Sequence, residues 1–162
     1  MNTKKLILYI PMIIWMGVIF LFSAQDSSNS SETSSLPATV LAQIIKPDFD
    51  QLNETEQADL IDKCQFAVRK LAHFSIYTVL GFLSLLAFSN KKFSIKVKLL
   101  LSAIICLTYA ISDEIHQYFV PGRSCQLRDV LIDFCGSLFG IFLFFIIICI
   151  IQKHKQNKKN YK

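Results

Sequence analysis

The sequence predicts an all-α, polytopic membrane protein of four transmembrane helices, with a long outer loop between spans one and two. Three observations carry this reading. The 162 residues are 52% hydrophobic, with a mean hydropathy of +0.43, more apolar surface than a soluble domain of this length usually carries. The surplus is gathered into blocks at about 6–22, 71–89, 99–120 and 130–151, each close to the ~20 residues that cross a hydrocarbon core about 30 Å thick. A soluble bundle would show polar stripes along blocks this long, and these show almost none. Charge, finally, is sorted along the chain by sign, as a topology requires. Residues 1–162 read as one domain.

The first block follows Lys4 and Lys5, the flank of a secretory signal peptide as well as of a span. A span is the better reading, because the apolar run exceeds a signal core and includes Pro11 and Trp15. Phe22 would also occupy a small-residue position of a cut after Ala24. The outer loop 23–68 opens on a serine-rich stretch, Ser23 to Ser35, too polar to pack by itself and expected to be a flexible lead. Leu36, Val40, Leu41, Ile44 and Ile45 then recur at helical spacing before Pro47, which predicts a short amphipathic helix resting either on the membrane surface or on the bundle. Asn53 with Glu56 forms a helix-start pattern, and Leu60, Ile61, Cys64 and Val68 extend an apolar face toward the second block. One helix is therefore expected to run from outside into the membrane. Neither a fixed-period repeat nor an inverted pair of broken segments favours a transporter.

Positive charge assigns the sides. Lys4 and Lys5, the loop lysines Lys91, Lys92, Lys96 and Lys98, and the five lysines of the basic tail 152–162 place both termini in the cytoplasm. All 12 acids fall between Asp26 and Asp62 or between Asp113 and Asp133, on the outer side. The net charge of +5 thus expresses topology and gives no reason to expect nucleic acid. His154 is a solvated member of a tail that attracts anionic lipid. Cys106, Cys135 and Cys149 act as small apolar side chains within spans. Cys64 and Cys125 both fall outside, where a disulfide is open to them, but their spacing matches no framework or metal motif.

A charge at mid-helix costs roughly 2.5–3.5 kcal/mol on insertion scales, so the ionisable residues of the blocks require an account. Arg69, Lys70 and His73 open the second; Asp113, Glu114, His116 and Gln117 lie in the last third of the third; Arg123, Arg128 and Asp129 fill the next loop; Asp133 opens the fourth. All lie at the outer face or about 5–10 Å below it at 1.5 Å of rise per residue. Helical spacing puts Lys70, His73 and Tyr77 on one stripe and Tyr109, Asp113, His116 and Gln117 on another, with Glu114 about 100° away on the flank. Asp129, Asp133, Gly136 and Gly140 descend the fourth block, the glycines forming a small-residue stripe that admits a neighbouring helix. The Pro121-Gly122 turn precedes Arg123 and Arg128, with Asp129 placed to cap the last helix.

These residues also carry a likeness. Arg69-Lys70 with Ala72-His73-Phe74, Asp113-Glu114, His116-Gln117, Phe119 with Pro121-Gly122-Arg123, Arg128-Asp129-Val130, Asp133 and Gly136, together with Phe22-Ser23-Ala24-Gln25, resemble the VanZ-like family over nearly the whole chain. The resemblance implies a small multispanning protein of the bacterial cell membrane; the family's founding member is associated with low-level resistance to teicoplanin, a glycopeptide that attacks cell-wall precursors outside the membrane. It implies no catalytic assignment.

Two functions are expected from different classes. In the first, Arg69, Lys70, Arg123 and Arg128, with Gln117 and Asp129, hold a phosphorylated or pyrophosphorylated lipid at the outer leaflet, such as a polyprenyl-linked wall precursor. His73, Asp113, Glu114 and Asp133 form the floor; hydrolysis or transfer at phosphate would use Glu114 or His116 as base. Oxygen ligands would suit Mg²⁺ completed by substrate phosphates, although no tight ligand spacing is present. In the second, the ions simply neutralise one another and lock the bundle, His73 and His116 are packing and headgroup-level residues, and the outer loop binds a protein partner.

Overall fold

The computed structural model describes residues 7–160, so Lys4, Lys5, Leu6 and Lys162 lie outside the described residues. It is helical throughout, with no strand among the described residues. A 3₁₀ turn, Ile7–Tyr9, leads into α1, Ile10–Ser23, whose Pro11 sits in the first turn, where its missing N–H has no helical acceptor to lose. Then come α2, Ser27–Ile45, a 3₁₀ turn, Phe49–Gln51, and α3, Glu54–Phe88. After it come α4, Ile95–Tyr118, and α5, Leu127–Asn160.

The apolar blocks become helices at the expected places. Three helices, α3, α4 and α5, are long and apolar enough to cross a membrane, and Ile7–Ser23 is a shorter apolar helix. Their start signals are local. The Asn53 side chain accepts from the Glu56 N–H at 2.9 Å while the Glu56 carboxylate accepts from the Asn53 N–H at 3.4 Å, satisfying donors at the start of α3 reciprocally. Ser94 Oγ accepts from the Val97 N–H at 3.4 Å to open α4.

Contacts between helices give their directions. Tyr9 meets Phe88 edge-on at 5.9 Å and the Trp15 indole donates to the Ile76 carbonyl at 2.8 Å, so α1 runs against α3. Tyr109 donates to the Met16 carbonyl and His116 approaches Ser23 at 3.4 Å, which sets α1 parallel to α4. α5 runs parallel to α3: Gly136 faces Phe74, Gly140 faces Thr78, and Phe82 packs on Phe144 at 4.7 Å. Ser23, Arg69, Asp113 and Asp129 therefore gather at one end of the bundle, with Tyr9, Phe88 and Lys91 at the other.

α3 and α5 form the most extensive interface. A Cβ on Gly81, Gly136 or Gly140 would run into the backbone of Ser137, Phe74 or Thr78 respectively, so the glycines let the two backbones touch. The small-residue stripe expected on the fourth block is spent inside the chain, on α3, and is not open to a second copy. Around it Tyr77, Leu80, Cys106 and Ala110 pack with Met12 and Ile19 of α1.

Residues 23–68 depart from expectation in their serine-rich stretch. The serine-rich stretch is not a loose lead: most of it, from Ser27, is helical and continues into α2. Ser34 donates to the carbonyls of Ser30 and Ser31, and Ser35 to that of Glu32, so the hydroxyls bond within the helix itself. The segment need not pack alone, because Ala38 and Ala42 bury against Phe49 and Cys64, flanked by Leu41, Leu60, Ile61 and Val68. Small residues, rather than the aliphatic row, face the bundle; Leu41 turns inward while Leu36, Val40, Ile44 and Ile45 stay exposed. α3 runs without a break from Glu54 into the apolar block, as anticipated, and α2 folds back on its first half as a helical hairpin. Cys64, buried there, and Cys125, exposed, are both free thiols.

Gly17 tests the packing logic from the other side. A Cβ there meets nothing within 4 Å, so Gly17→Ala should leave the fold intact and raise stability by up to about 1 kcal/mol through helix propensity; thermal unfolding in detergent would show it, and a drop would mean that this face of α1 is covered.

Candidate functional site

The polar helix ends enclose a chamber of about 200 Å³ lined by Arg69, Lys70 and His73 of α3, Gln117 of α4, Arg123 of the connecting loop, and Arg128 and Asp129 of α5. Every residue expected to contact a ligand is in this wall, along with Phe66, Ser30 and Gln126. Gly122 makes the turn, with φ of 72°, a left-handed conformation that costs glycine nothing.

The four cations are not equivalent. Lys70 Nζ is held by both oxygens of Asp129, at 2.6 and 2.7 Å, and this pair joins α3 to α5. Asp129 is thus an interhelix partner instead of a helix cap; α5 begins earlier, at Leu127. Arg128 lies over the Phe66 ring at 4.9 Å and donates to Gln126 at 3.1 Å. Arg123 donates to the Gln25 carbonyl at 3.1 Å and to Gln117 Oε1 at 3.3 Å, and Gln117 donates in turn to Asp113 at 3.2 Å. Arg69 has no hydrogen-bond or ion-pair partner among the described residues. Burial, with Arg69 as the nearby like charge, pushes the Arg123 guanidinium below its usual range, although an arginine stays charged at neutral pH.

Beneath this rim lies the floor. His73 Nδ1 stands 3.3 Å from Asp133 Oδ1, off the angle a hydrogen bond needs, so both Asp133 oxygens, His73 Nδ1, the Tyr77 hydroxyl and Glu114 Oε1 are buried without hydrogen-bond partners among the described residues. Polar atoms in this condition are costly to a fold unless a ligand, an ion or bound water completes them. Glu114 does not stay on the flank: it is buried, and its Oε2 accepts from the Gln126 N–H at 3.0 Å, fastening the chain that leads into α5. Glu114→Ala should cost about 1–3 kcal/mol by stranding that N–H, while Glu114→Gln, which keeps an acceptor, should unfold near wild type; equal loss in both would mean that the charge itself is required.

His116 alone is placed apart. It stacks on Phe20 at 4.4 Å and faces Ser23 of α1, away from Asp133 and the chamber wall. Among the described residues no three His, Cys, Asp or Glu side chains come together as a metal-ligand set, so a divalent cation would depend on oxygens brought by a ligand. The sequence reading missed Phe66, which lies one turn before Lys70 and supports two cations, with Lys70 Nζ 5.1 Å from its ring. Gln25, singled out only within the Phe22-Ser23-Ala24-Gln25 likeness, serves through its backbone carbonyl, a role that the residue type does not mark.

Beside the chamber lies a second, apolar cavity of about 320 Å³, bounded by Phe22 of α1, Thr33 and Pro37 of α2, and Val68, Ala72 and Ile76 of α3. Neither a curated protein nor a solved structure matches the chain. The sequence model of one family, described as VanZ/LLP1, matches residues 7–148, from the first turn of the amino-terminal helix to the apolar part of α5, and includes every wall and floor residue of the chamber. With that match and three helices of membrane-crossing length, the chain belongs to the VanZ/LLP1 family of membrane proteins.

Proposed function

We propose that the protein binds the phosphate group of an anionic lipid, such as a polyprenyl-linked cell-wall precursor, at the outer leaflet of a bacterial cell membrane, and through it influences susceptibility to glycopeptides. In this reading α1 and the apolar lengths of α3, α4 and α5 are four spans, with both termini cytoplasmic. The Ile7–Ser23 helix rises about 25 Å, close to the hydrocarbon thickness. The basic segment holding Lys91 and Lys98 lies at the end opposite the chamber, where Lys98 donates to the Ser89 carbonyl at 2.7 Å, as positive charge on the cytoplasmic side would require.

The observation that carries the proposal is Arg69: an arginine without a hydrogen-bond or ion-pair partner among the described residues, set beside Arg123 in the wall of a basic chamber. The two neighbouring guanidiniums repel, an effect that the carboxylates of Asp113, Glu114 and Asp26 oppose at Arg123, and their planar forks match phosphate oxygens. Because Arg69 holds nothing else in place, Arg69→Ala should leave thermal stability within about 0.5 kcal/mol while reducing affinity for lipid phosphate roughly 10- to 100-fold. Native mass spectrometry of detergent-purified wild type and Arg69→Ala would check it. A polyprenyl phosphate or other anionic lipid retained by wild type and lost from the variant is the expected result; equal loads of bulk phospholipid on both would remove the arginines from the proposal.

A second reading is favoured by the Lys70–Asp129 pair, which ties two helices together. Here the polar cluster is structural, and the α2 hairpin, with its exposed aliphatic row, contacts a protein partner. Under it, replacing Asp113 or Asp133 would lower abundance in step with any phenotype. A stable variant that has lost its phenotype would speak for the lipid site.

A further inference from the structure

The basic chamber and the apolar cavity are not separate features. Ser30, Arg69, His73 and Arg123 line both, so the two meet at the arginines. The combined shape is that of an amphiphile: a charged end among Arg69, Arg123 and Lys70, and an apolar end among Phe22, Pro37, Val68, Ala72 and Ile76. Phe22, Pro37 and Ala72 are exposed and mark the mouth of the apolar part on the flank of the bundle, where α1, α2 and α3 meet. Its 320 Å³ is at the low end of small-molecule pockets, about 300–1,000 Å³, room for the beginning of one hydrocarbon chain but not for two.

We infer that the ligand is a single-chain lipid phosphate whose chain leaves the arginines through the α1–α2–α3 groove, so that α2 is a wall of the binding site and selects chain number. This rests on the lipid-phosphate reading above and makes it specific. It also accounts for the way α2 packs: Ala38 and Ala42 hold the helix tightly on the first half of α3, while Pro37 and Thr33 stand off Val68 and Ala72 enough to leave the groove.

The experiment uses the full-length protein in nanodiscs of phosphatidylcholine, with inorganic pyrophosphate, n-dodecyl phosphate and dioleoyl phosphatidic acid as probes. At matched concentration in the bilayer, wild type should bind dodecyl phosphate about tenfold or more tightly than phosphatidic acid, and more tightly than the chainless pyrophosphate. Ala72→Trp, which fills the groove from an exposed position, should weaken dodecyl phosphate about tenfold and leave pyrophosphate unchanged. Pro37→Trp does the same from the opposite wall, in case one variant folds poorly. Dodecyl phosphate binding that survives both substitutions, or that equals pyrophosphate binding in wild type, would overturn the groove and leave the headgroup site standing. Failure of wild type to bind any of the three probes would overturn both.

Discussion

Gly140→Leu should prevent the folded protein from accumulating. A Cβ at this position would collide with the Thr78 carbonyl oxygen and approach the Phe82 backbone nitrogen. Neither atom can turn aside as a side-chain tip would, because both belong to the hydrogen-bonded backbone of α3. The helices would have to separate along their most extensive interface, withdrawing Phe82 from Phe144 and displacing Asp133 from His73 on the same face. Overpacking usually costs about 1–3 kcal/mol, and a rigid backbone contact belongs at or beyond the top of that range. Thermal unfolding in detergent and membrane abundance are the measurements, with Gly17→Ala as the control that should do no harm. A Gly140→Leu protein of normal stability would mean that α3 and α5 are less closely packed than described.

Lys70→Met has the next largest expected effect. It removes the cation that faces Asp129, a carboxylate 13% exposed, leaving a largely buried negative charge whose other contact, Arg128 Nε, is 4.0 Å away. Breaking one side of a buried pair typically costs about 3–5 kcal/mol, whereas replacing both sides with apolar groups is often neutral. The double variant Lys70→Met/Asp129→Leu should therefore recover most of the stability lost by the single one. Its lipid binding then separates two roles of the pair. Retained binding would make the pair a clamp between helices, and lost binding in a stable double variant would place Lys70 on the ligand. Additive losses would show that the two residues are not coupled.

Much of the architecture was legible because a membrane leaves a strong mark on sequence. A helix that crosses hydrocarbon needs a long apolar run, and the blocks at 71–89, 99–120 and 130–151 fall, but for Ser89, Phe119 and Val120, within α3, α4 and α5. Membership of the chamber wall was legible for the same reason: an arginine or aspartate in such a run is costly enough to be conspicuous. Helical spacing of three and four residues is enough to group Lys70 with His73 and Asp129 with Asp133 on shared faces. Where a helix was held by small residues the signal failed. The row of Leu36, Val40 and Ile44 left open whether α2 rests on the membrane surface or on the bundle by that face, and it is Ala38 and Ala42, which carry little hydrophobic weight, that pack.

The sequence by itself determined the all-helical class, the membrane-length helices and the collection of charged side chains that forms the chamber, because burial in lipid and helical periodicity act residue by residue and are written locally. Only the tertiary structure decided which charges are used and which are free. It gave Asp129 to Lys70, turned Glu114 inward to the Gln126 backbone, sent His116 to α1 and left Arg69 without a hydrogen-bond or ion-pair partner among the described residues. It also spent the glycine stripe within the chain and opened an apolar groove beside the arginines. These outcomes depend on rotations and separations of whole helices, and a change of about 100° in facing, one residue along a helix, exchanges one partner for another without altering the sequence pattern.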